Sequence, residues 1–71
     1  MTTKDLYTLL TTPDLQATLA YHQMIEANLQ RDLDYTSPHD RGERRYILSL
    51  IEDERTEIAR IRRELDARAA Q

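Results

Sequence analysis

The chain has 71 residues and a formal net charge of −3, with one Gly, two Pro and no Cys, Trp or Phe. One small domain is the ceiling, without a disulfide or a thiolate metal site. A single glycine is too few for a turn-rich β fold or a phosphate-cradling loop. Below roughly 70–80 residues a core alone rarely gives a comfortable margin, so tight helix packing, self-association or a partner has to contribute.

In chain order, the first predicted element is a helix over about 2–11. Thr2 and Asp5 have capping-box-like spacing, and Leu6, Leu9 and Leu10 make one apolar stripe. The second helix covers about 12–34. It opens on Thr12-Pro13-Asp14, with Thr12 as N-cap, Pro13 at the first helical position and Asp14 near the positive dipole end. Leu15, Leu19, His22, Ile25, Leu29 and Leu33 follow at helical spacing, and Ala17, Ala20, Met24 and Ala27 form a second, milder face suited to close helix contact.

A turn is expected at 35–39, because the residue before Pro38 avoids the helical region. Two starts compete for the third helix. Ser37 can cap with Pro38 following, or Asp40 can cap with Glu43 three residues on; Gly42 inside a helix costs ~1 kcal/mol and favours the later start. The third helix, about 40–69, carries Ile47, Ile51, Glu54, Ile58, Ile61, Leu65 and Arg68 in a heptad seam. Arg60–Glu64, Arg62–Asp66 and Glu64–Arg68 are spaced for surface pairs.

The sequence thus predicts an all-α fold: a short N-terminal helix, then a long antiparallel helical hairpin, pairing as a dimeric four-helix-type bundle. Folding the hairpin about residue 36 sets Leu29 near Arg44, Ile25 near Ile47, His22 near Ile51 and Leu15 level with Ile58. The third helix then overhangs, with Ile61 and Leu65 open to the first segment, a second copy or a target. With Ile58 and Leu65 at a and Ile61 at d, Glu57 falls at g and Arg55 and Arg62 at e. A parallel pair would set Glu57 against Arg62 of its twin. The expected partner or dimer interface is therefore Ile58, Ile61, Leu65, Arg55, Glu57 and Arg62; if the seam is used inside the hairpin instead, these charges are solvated flanks.

His22 and Glu54 both interrupt apolar stripes and come within about a turn of each other, beside Thr18, as a candidate buried polar pair. No metal site or cofactor is expected: the Glu-x-x-His motif of di-iron bundles does not occur. Ser37, His39 and Asp40 have the residue types of a catalytic triad, but capping explains Ser37 and Asp40, nothing supplies an oxyanion hole, and so small a chain offers little concave volume. An enzyme is not expected.

Nine of the ten basic residues are Arg, and Arg41, Arg44 and Arg45 with Tyr46 form a candidate nucleic-acid patch. However, residues 40–71 carry eight basic and eight acidic side chains, and the isoelectric point is about 5.2. Nucleic-acid binders usually present a face of one sign. No run reaches the ~18 apolar residues of a membrane span, and Met1–Asp5 does not begin a signal peptide, so a cytoplasmic location is expected. The functional expectation is a non-catalytic regulator, inhibitor or adaptor that binds another protein and itself. A nucleic-acid accessory role is the alternative.

Overall fold

In a computed structural model, which describes residues 5–71, the chain forms three helices: α1 (Asp5–Thr8), α2 (Thr12–Tyr35) and α3 (Arg41–Ala69). No strand occurs among the described residues. The long helices α2 and α3, of 24 and 29 residues, pack against each other as an antiparallel hairpin, and the molecule measures 49 × 23 × 16 Å.

Local chemistry sets each boundary. The N-cap of α2 is Thr11, one residue earlier than expected: its backbone is extended and its hydroxyl accepts from the Asp14 N–H at 3.2 Å. Thr12 and Pro13 then occupy the first turn, where a missing N–H costs nothing. At the other end, Thr36 turns out of the helix while its N–H still bonds the Leu33 carbonyl. The last turn of α2 carries no basic residue of its own, so Arg44 reaches across from α3 to bond the Leu33 and Thr36 carbonyls at 3.2 and 3.3 Å. A cation at that end also meets the negative pole of the helix.

Of the two possible starts for α3, the structure takes Asp40, whose carboxylate accepts from the Glu43 N–H at 3.2 Å. Ser37 and His39 serve the turn: the Ser37 hydroxyl accepts from the His39 N–H, and its carbonyl accepts from the Asp40 N–H.

The five residues 36–40 between the helices reset the register. Folding about residue 36 paired Leu29 with Arg44 and His22 with Ile51. Instead, Leu33 meets Arg44 and His22 meets Glu54. With α2 running on to Tyr35 and α3 starting at Arg41, the midpoint of the turn lies near residue 38. Moving a hairpin midpoint by two residues displaces facing positions by about four, one helical turn. Carried along α2, this register sets Leu15 level with Ile61 rather than Ile58 and shortens the overhang of α3.

The buried apolar side chains are Leu15, Ile47, Ile51, Ile58 and Ile61. The heptad seam of α3 is therefore spent inside the hairpin. Ile58 and Ile61, expected to face a partner, are core residues: α2 reaches further along α3 than the sequence suggested, and the N-terminal segment folds over the rest. Its helix stops early. The helix ends at Thr8 instead of 11, Leu6 and Leu9 lie largely exposed, and the expected cap Thr2 is outside the described residues.

Candidate functional site

A layer of polar side chains interrupts the apolar seam where α1, α2 and α3 meet. His22 comes from the inward stripe of α2, and Glu54 and Glu57 from adjacent turns of α3. His22 Nδ1 and Glu54 Oε2 lie 2.5 Å apart, with each side chain 19% exposed. An ionised carboxylate only accepts, so Nδ1 carries the shared proton as donor. Tyr21 packs its ring edge-on to His22, with centroids 5.5 Å apart. From α1, the Tyr7 hydroxyl donates to Glu57 Oε2 at 2.5 Å, while Arg60 pairs with the other Glu57 oxygen at 3.0 Å. Partial burial, and then the bond to anionic Glu57, push the Tyr7 phenol up to about 12.

The structure thus brings His22 and Glu54 together in a layer that also holds Tyr7, Glu57 and Arg60. Tyr7 was missed by the sequence reading, which aimed Leu6, Leu9 and Leu10 inward. Tyr7 and Leu10, three apart, are half-buried where Leu6 and Leu9 are exposed, but that spacing is no more periodic than Leu6 with Leu9.

A second cluster closes the far end of the molecule. The guanidinium of Arg68 bonds Glu64 at 2.8 Å, the Thr12 hydroxyl at 3.0 Å, and the carbonyls of Tyr7, Thr8 and Leu10 at 3.2, 3.5 and 2.7 Å. These carbonyls belong to the end of α1 and the link to α2, and a rigid guanidinium fork suits several acceptors at once. Among the expected surface pairs, Glu64–Arg68 forms. Arg60 turns to Glu57 rather than Glu64, and no ion pair joins Arg62 to Asp66 among the described residues.

Other residues of the expected interface are scattered. Arg55 binds Glu26 of α2 at 2.6 Å, Glu57 is engaged by Tyr7 and Arg60, and Leu65 is half-buried. Arg62 is exposed and lines an open groove of about 540 Å³ with Gln23, Glu26, Arg55 and Arg63. The lining of that groove includes none of Tyr7, His22, Glu54 or Glu57. In the candidate nucleic-acid patch, Arg41, Arg45 and Tyr46 are exposed, but Arg44 is held by the end of α2.

The chain matches no known protein family, no curated protein and no solved structure. Its chemistry therefore has to be read from its own residues. The bonds of the polar layer, His22 to Glu54 and Tyr7 and Arg60 to Glu57, run between side chains of the same chain, an arrangement that orients helices. Among the described residues, no three His, Asp or Glu side chains are placed to hold a metal ion, and no helix is long and apolar enough to cross a membrane.

Proposed function

We propose that this chain is a non-catalytic helical protein that acts by binding protein surfaces, its own copy among them, as a regulator, inhibitor or adaptor of a larger protein. One observation carries the reading. Five apolar side chains are buried, yet seven large ones are exposed: Leu6, Leu9, Tyr21, Met24, Tyr35, Tyr46 and Leu48. Exposed apolar surface on so small a body is the kind of surface a partner covers. Tyrosine is also favoured where binding energy concentrates.

The test is retention of a protein from lysate of the source cell on immobilised wild type, beside Tyr46→Ser/Leu48→Ser. Both positions are exposed, so the variant keeps its helix content, checked by circular dichroism. Wild type is expected to hold a partner that the variant loses. Retention of nothing beyond a blank matrix overturns the target-binding reading. The nucleic-acid alternative has lost Arg44 to a structural bond. Duplex DNA bound at ~50 mM salt, where phosphate contacts are strongest, is the result that would favour it.

A further inference from the structure

The face of α2 turned away from α3 has no partner among the described residues. Ala17, Ala20, Met24, Ala27 and Arg31 recur on it at spacings of three, four, three and four, a heptad pattern separate from the one spent inside the hairpin. All five are exposed, and Tyr21, 57% exposed, flanks them. Alanine at three positions lets a second helix approach closely, and Met24 supplies apolar area at the middle.

The charges at the two ends of this face indicate what covers it. Arg31 stands on the seam near the C-terminal end and makes no ion pair among the described residues. Asp14 lies beside the face near the N-terminal end, and its carboxylate likewise has no ion-pair partner there. A parallel copy would press Arg31 against its twin. An antiparallel copy sets Ala17 against the partner's Ala27 and Ala20 against the partner's Met24, and brings each Arg31 to the partner's Asp14. In that orientation the face is complementary to itself.

We propose that a second copy of this chain docks antiparallel on the outer face of α2, with Ala17, Ala20, Met24 and Ala27 as its seam and Arg31–Asp14 pairs at both ends. The proposal rests on the self-association part of the reading above. It moves the interface from α3 to α2 and gives the dimer the form of a four-helix layer, α3–α2–α2–α3.

Because the chain has no cysteine, introduced thiols report the pairing directly. Mild oxidation of Ala17→Cys mixed with Ala27→Cys is expected to yield the mixed disulfide. Neither variant alone should cross-link, since each thiol lies ~15 Å along the axis from its own copy. Cross-linking of the single variants, as a parallel pair would give, overturns the proposal. Arg31→Glu is expected to weaken the dimer roughly tenfold, and Arg31→Glu with Asp14→Arg to restore it. A dimer seen by light scattering without the mixed disulfide removes this face and leaves self-association standing. A monomer at every concentration removes both and leaves target binding to its own test.

Discussion

Tyr7 and Glu57 join the N-terminal segment to α3 through one short bond, and that bond has a pH signature. The folded chain holds the phenol proton up to about 12 against the ordinary 10, first because the ring is partly buried and then because Glu57 beside it is anionic. Above pH 10 the unfolded chain releases this proton first. The stability the bond contributes is therefore complete below pH 10 and is lost as pH rises toward 12. Urea midpoints of wild type and Tyr7→Phe should differ at pH 8 and converge by about pH 12. A gap that stays constant over that range would detach the effect from the phenol proton. His22 and Glu54 call for a different measurement. Glu54→Leu leaves His22 Nδ1 without its acceptor and should cost about 1–2 kcal/mol in urea unfolding. Adding His22→Leu should recover much of that, because an apolar pair of similar shape no longer strands a polar atom. Simple additivity would show that the two side chains are not coupled. This pair could be read from the sequence because each residue breaks an apolar stripe at helical spacing. Tyr7 could not, because in so short a helix two overlapping stripes, Leu6 with Leu9 and Tyr7 with Leu10, are equally periodic.

At the scale of elements, the helices themselves were legible. Proline, threonine and aspartate punctuate them, and α2 and α3 lie within a residue of their expected bounds. The register was not, because it depends on the length of the turn, and the sequence offered two caps, Ser37 and Asp40. The choice of Asp40 moved facing positions by a turn and changed what the seam of α3 does. Ile58 and Ile61 went from expected interface to core, so Ile61→Asp now predicts unfolding rather than loss of a partner. The element whose place is least secured by apolar burial is α1, since Leu6 and Leu9 face outward. Arg68 secures it instead. Arg68→Lys keeps the charge but loses the fork, and should accelerate amide exchange in residues 5–10 by roughly tenfold or more while leaving the middle of α2 and α3 protected. Unchanged exchange in that segment would mean that Tyr7 alone holds it.

The whole molecule is an elongated helical hairpin with a short helix at one end and a thin core. Its composition forecast this: 32% charged residues and 39% apolar ones cannot enclose a thick interior in 71 residues. What composition could not forecast is where the uncovered apolar surface would lie, because that follows from the register. Once the seam of α3 is closed, the remaining apolar face with a regular repeat belongs to α2, on the side away from the hairpin. The fold class was therefore readable at the start, and the face left uncovered became readable only with the geometry.

The acceptors of Arg68 in the N-terminal segment precede it by 58 to 61 residues. During synthesis, α2 and most of α3 can leave the ribosome before that arginine does. The Arg68 bonds that tie down the end of α1 and the link to α2 must wait for it. Final docking of the N-terminal segment therefore waits for the last turns of α3 to be made.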